Sequence, residues 1–142
     1  MQLRGLIAVL LLAPPVPALA ACNVLVSTSG VLARTGDATV ISSESGVPSV
    51  IVISGFLNPS ISISDPRLES WPPGFDWTSA TVEASYQAAW TLGSSSGGYS
   101  SGTQSFSAGV GLAVTVTLNN RVTAAGGFRQ GNYTTKTTIS CS

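Results

Sequence analysis

The stretch Ala80-Thr81-Val82-Glu83-Ala84-Ser85-Tyr86-Gln87-Ala88-Ala89-Trp90-Thr91-Leu92 alternates without a break. Every even position is apolar: Ala80, Val82, Ala84, Tyr86, Ala88, Trp90 and Leu92. Side chains of a strand point alternately to two faces, whereas those of a helix return to one face every three or four residues. A period of two held this long predicts a strand with its even residues turned to a core. Tyr86 and Trp90 then belong to that core, and Glu83 to the solvent side.

Downstream the same phase returns in Phe106, Ala108, Val110, Leu112, Val114, Val116 and Leu118. Gly109 and Gly111 interrupt the odd side, where a bend or bulge fits. The two arms predict a long antiparallel hairpin around Gly93–Thr103, a Gly/Ser loop that carries Tyr99. Each arm is longer than an ordinary strand, so each is expected to bend or split. Asn119-Asn120 is expected to turn the chain. The last strand carries Tyr133, Thr135, Thr137, Ile139 and Cys141 on one face.

Upstream, short strands are expected at Cys22–Ser27, Ala38–Ser42, Val50–Ile53 and Ser60–Ser64, with Val31–Arg34 either continuing the first strand or bridging to the next. In the first of these, Cys22 shares the face of Val24 and Val26. Val50-Ile51-Val52-Ile53 is apolar on both faces and reads as a buried strand. Asp65-Pro66 opens a helical or 3₁₀ turn through Leu68. Trp71-Pro72-Pro73-Gly74-Phe75-Asp76-Trp77 is a proline-locked aromatic loop.

Seven or eight strands and almost no helix predict an all-β fold, an immunoglobulin-like antiparallel β-sandwich. Gly131-Asn132-Tyr133 before a late strand is similar to the tyrosine corner of such sandwiches. An eight-stranded outer-membrane barrel is the other all-β option. It requires aromatic girdles at both ends, whereas the aromatics here cluster between Trp71 and Trp90.

Residues 1–20 read as a signal peptide. Met1-Gln2-Leu3-Arg4 is basic, Leu6–Ala13 is apolar, and Ala18-Leu19-Ala20 is a small-x-small cleavage site. Residues 21–142 then form one domain. The leader's apolar run is too short for a membrane span. The expected location is outside the bacterial cytoplasm: periplasm, cell surface or medium.

Cys22 and Cys141 have two readings. In an oxidising compartment they pair, which the chain-entropy model values at about 4–5 kcal/mol for so long a loop. Alternatively, Leu19-Ala20-Ala21-Cys22 is similar to a lipobox, and Cys22 is an acylated membrane anchor.

The chain holds six basic and six acidic side chains and no histidine. With no basic cluster, nucleic acid is excluded as a partner. Without histidine there is no Ser–His or Cys–His nucleophile pair and no imidazole metal ligand. Lys136 is the sole lysine and falls on the polar face of the last strand. Asp65, Glu69 and Asp76 form the one local carboxylate group, at a spacing that matches no calcium loop or glycosidase pair. Asn132-Tyr133-Thr134 matches a glycosylation acceptor, but the leader is bacterial. No catalytic residue, metal or cofactor is expected.

The candidate ligand surface is Trp71, Phe75, Trp77 and Tyr99. Aromatic rings of this kind stack on sugars; the competing role of Trp71, Phe75 and Trp77 is to fold under their loop and cap one end of the sandwich.

Cys22, Gly131-Asn132-Tyr133-Thr134 and Thr137-Thr138-Ile139-Ser140-Cys141 resemble the corresponding ends of spore-coat-protein-U-like proteins and chaperone–usher fimbrial subunits. The first strand is not followed by a Phe-Gly-x-Tyr element. Cys141 also stands where those subunits carry an aromatic penultimate residue. The resemblance implies surface assembly by donated strands. Its implied partners are other copies, other surface subunits and a periplasmic chaperone. The expected function is thus a non-enzymatic structural or adhesive surface protein. The alternative is a monomeric carbohydrate- or protein-binding module using the Trp71–Trp77 loop.

Overall fold

The structure, a computed structural model, describes residues 22–54, 58–109 and 113–142. The expected leader, and the in-phase Val110 and Leu112, lie outside them. Ten strands follow in order: β1 Asn23–Thr28, β2 Val31–Arg34, β3 Val40–Val47, β4 Ser49–Ser54, β5 Ser60–Ser70, β6 Ala80–Trp90, β7 Gly93–Ser100, β8 Gln104–Ser107, β9 Val114–Ala124 and β10 Thr134–Cys141. All pairings are antiparallel, and they make one larger and one smaller sheet.

β6 is the alternating stretch, and its even side faces the core. Ala84, Tyr86 and Ala88 are buried, and Trp90 packs against them. Leu92, in the turn beyond, escapes the pattern and is exposed. β6 pairs with β9 in unbroken register from Ala80↔Ala124 to Ala89↔Thr115. This sets Tyr86 beside Leu118 and Ala88 beside Val116. On its other side β9 pairs with β4 at Val114–Leu118 and with β3 at Arg121–Thr123. β3 and β4 therefore run end to end along one strand, as do their partners β2 and β1.

The smaller sheet is β10-β5-β8. Ile61 and Ile63 of β5 and Phe106 of β8 meet Ile51, Ile53, Val114, Val116 and Leu118 of the larger sheet. Full burial of one such side chain is worth about 1.5–3 kcal/mol. Phe106 stacks on Tyr86 with ring centroids 5.0 Å apart. Both sheets have open edges, so this is a sandwich and not a barrel.

Four local expectations are corrected. Gly93–Thr103 is not a loop through most of its length: β7 returns along β6 after a two-residue turn. A Cβ at Gly97 meets the Tyr86 ring and Gln104, and one at Gly93 meets the Trp90 indole. Glycines are there because large aromatics of β6 lie over the strand. Asp65-Pro66 does not start a helical turn. β5 continues through it with a bulge opposite Thr137, marked by Asp65 at φ 52°. A bulge tolerates Pro66, which has no N–H to pair. Asn119-Asn120 is no turn, because both residues sit inside β9. Finally, β1 shifts register between Val24 and Val26, and Val24 is exposed. The phase of the valines therefore does not place Cys22, although Cys22 does pack against the core.

The second arm splits as its length required. β8 lies in the smaller sheet and β9 in the larger. Between them Ala108 is fully buried and donates its N–H to the Pro59 carbonyl at 3.0 Å.

Candidate functional site

The order of the larger sheet is β1/β2, β3/β4, β9, β6, with β7 beyond; β10 and β5 adjoin in the smaller. By their place in the chain and in the sheets, these correspond to strands A, B, E and D, then F and C, of the immunoglobulin sandwich. Strand G of that sandwich lies beside F. Among the described residues nothing pairs with this side of β10. Among the described residues β1 pairs only with β4, and β2 only with β3. Two unpaired edges, one from each sheet, thus border the same side of the molecule.

Between them runs a groove of about 990 Å³. Val24, Gly30, Val31 and Arg34 lie along one wall, and Tyr133, Thr135, Thr137 and Ile139 along the other. Ile41, Ile51 and Leu118 form the apolar part of its floor. Val24 and Val31 are exposed although they are large and apolar.

The direction of the free backbone groups on β10 follows from one pair. Ser60 and Ser142 exchange both backbone hydrogen bonds, at 2.9 and 3.0 Å. Backbone groups alternate sides along a strand. Thr135, Thr137 and Ile139 therefore turn their N–H and C=O groups to the free edge. Their side chains line the groove, while Thr134, Lys136, Thr138 and Ser140 are exposed.

Asn120 of β9 spans the two sheets at mid-groove. Its Nδ2 donates to Thr135 Oγ1 at 3.1 Å, and its Oδ1 accepts from Thr137 Oγ1 at 2.7 Å. Ser43 Oγ accepts from the Asn120 N–H at 2.9 Å. These contacts explain a half-buried asparagine inside a strand, which its turn propensity had concealed.

The open end of the groove is fixed by a tyrosine corner at the start of β10. The Tyr133 hydroxyl accepts from Arg129 N–H at 2.8 Å and donates to the Arg129 carbonyl at 3.0 Å. Gly131 lies in the left-handed region at φ 144°, and a Cβ there would strike Pro72. The Tyr133 ring makes edge contacts with Phe75 and Phe128. Phe75 is buried in this cluster. At the other end, Cys22 and Cys141 are joined in a disulfide, with their Cα atoms 6.0 Å apart. That pairing is the first of the two readings of these cysteines.

The expected aromatic surface is divided. Phe75 is a core residue of the corner. Trp71 and Trp77 stack on each other at 5.3 Å, and Trp77 remains about half exposed (53%). Asp76 caps the 3₁₀ turn Trp77–Ser79, accepting from Thr78 N–H at 3.2 Å and Thr78 Oγ1 at 2.6 Å. Its hydrogen bonds from Thr78 and Ser79 hold the carboxyl below its ordinary pKa.

Tyr99 is elsewhere, on β7. Its hydroxyl donates to Glu44 Oε2 at 2.9 Å, and the Arg121 guanidinium lies 4.0 Å from its ring centroid. Burial, then the Glu44 carboxylate, raises its pKa. Arg121 also donates to Glu83 Oε2, at 3.1 Å from Nε and 2.7 Å from Nη2. Glu83 is therefore half of an ion pair, which strand phase alone did not indicate. Asp65 is engaged with Arg67. Among the described residues no three acidic or cysteine side chains converge as a metal site would require, and no helix is long and apolar enough to cross a membrane.

Compared with protein-family models, with curated proteins and with solved structures, the chain matches none.

Proposed function

We propose that this protein is an exported structural subunit of a bacterial surface assembly, joined to its neighbour by a strand donated into the β1/β2–β10 groove. The observation that carries this reading is the pair of unpaired edges flanking that groove. An extended segment laid there gains backbone hydrogen bonds from β10, and its alternate side chains pack on Val24 and Val31, which are exposed. The occupant is an extended segment of a neighbouring subunit, with apolar residues at alternate positions. Uncovered, such an edge invites uncontrolled pairing; a periplasmic chaperone that shields it before assembly follows from the fimbrial resemblance. The disulfide is compatible with an oxidising compartment outside the cytoplasm.

The test uses the mature chain and a peptide with alternating valines. Binding is followed by fluorescence anisotropy, and assembly by size exclusion with light scattering. Val24→Lys/Val31→Lys alters two exposed groove residues and leaves the core intact. Wild type is expected to take up the peptide, and the double variant to lose it at unchanged melting temperature. A wild-type chain that stays monomeric and binds no extended peptide defeats the proposal.

A second reading rests on the half-exposed Trp77 stacked on Trp71. Here the protein is a monomeric module that stacks sugar rings on this pair. A glycan array decides it: binding lost in Trp77→Ala supports it, and a blank array removes it.

A further inference from the structure

The groove does not have two equivalent ends. Its lining reaches Val24 on one wall and Ile139 on the other, and stops short of Cys22 and Cys141. Neighbouring strands lie about 4.8 Å apart, so a strand lodged between two edges needs about 9.6 Å between them. Sheets packed face to face are about 10 Å apart. At the bridge the two Cα atoms are 6.0 Å apart. Neither an inserted strand nor its inward side chains fit in that space. At the other end Gly30 to Arg34 and Phe128 to Tyr133 still border the groove, and no covalent link joins the walls.

We infer that the Cys22–Cys141 disulfide is an end stop, which makes the groove a slot closed at one end and limits how far a donated strand can run. From Tyr133 to Ile139 the slot accommodates about seven extended residues, ~23 Å of strand. An occupant enters beside Tyr133 and ends beside Ile139. It is therefore a chain end, or a strand that turns out of the groove there, and not an extended segment that passes straight through. This inference rests on the groove reading above and adds a direction and a length to it.

The test is a set of peptides binding to the oxidised protein. The parent is a seven-residue core with valines at alternate positions; two derivatives carry a Ser-Gly-Ser-Gly extension, one at the N-terminal end and one at the C-terminal end, so that the valine core alone fills the groove. One extension is expected to keep or improve affinity, because it projects past Tyr133. The other is expected to lower affinity by about tenfold or more, because it meets the bridge. Cys22→Ser/Cys141→Ser is expected to remove that asymmetry. If this variant does not fold, the comparison in the oxidised protein still decides. Equal affinity for both extensions overturns the end stop and leaves the groove reading standing. Failure of all three peptides to bind overturns the groove reading, and the end stop with it.

Discussion

Asn120 Oδ1 accepts a 2.7 Å hydrogen bond from Thr137 Oγ1, linking the centre of the larger sheet to the edge strand of the smaller. The same amide donates to Thr135. Replacing Asn120 with Ala leaves both hydroxyls without this partner. The expected loss is about 1–3 kcal/mol in urea unfolding. Thr137→Val removes one bond and keeps the shape, so its cost is expected to be smaller. A double-mutant cycle between the two positions should give a coupling above about 0.5 kcal/mol, whereas independent sites would give additive values.

The Cys22–Cys141 bridge closes a loop with a sequence separation of 119 residues. Cys22→Ser/Cys141→Ser is expected to lower stability by about 2–5 kcal/mol. Calorimetry of the variant, and of wild type with and without reductant, measures it. An unchanged melting temperature in both comparisons would contradict a stabilising role.

Two adjacent glycines on β7 make opposite predictions. A Cβ at Gly97 would meet the Tyr86 ring, while one at Gly98 finds open space. Gly97→Ala is expected to cost about 1–3 kcal/mol through forced displacement of packed side chains. Gly98→Ala is expected to fall within about 0.5 kcal/mol of wild type. Parallel thermal melts of the two variants separate the outcomes.

Tyr99 makes a prediction in alkali. Burial and the Glu44 carboxylate favour its neutral form in the folded chain, so its pKa lies above the ordinary 10.0. A group with a raised folded pKa contributes stability that is intact below the unfolded value and is lost as pH rises through the folded one. Stability should therefore decline from about pH 10 upward, and Tyr99→Phe should flatten that decline. Melting temperatures across this range, for wild type and variant, provide the check. Identical slopes would remove Tyr99 as the source.

The all-β class and the core phase of β6 were legible because one buried face leaves a period of two in the sequence. Tyr86, Trp90, Val114 and Val116 are examples. The tyrosine corner was legible for a different reason: Gly131 and Tyr133 are local partners of one turn. β7 was not legible, since Gly97 is small to accommodate Tyr86 and carries no alternating signal. The bulge at Asp65 was misread because Pro66 favours a helix start and a bulge equally. Asn120 was misread because its turn propensity is local, while its partners Thr135 and Thr137 are on another strand.

The candidate site divides in the same way. Trp71, Phe75 and Trp77 form one aromatic group in the sequence, yet Phe75 is buried with Phe128 and Tyr133 while Trp77 stays half exposed. Tyr99 is held by Glu44, which lies 55 residues away in the chain. The sequence by itself determined the phase of β6, β9 and β10, their polar faces and the cysteine pair as a candidate clasp, because each depends on residue type and short spacing. Tertiary structure alone decided which strand edges remain unpaired and that β1/β2 and β10 border one groove. Edge pairing is set by long-range register between sheets, and that leaves no periodic trace in the chain.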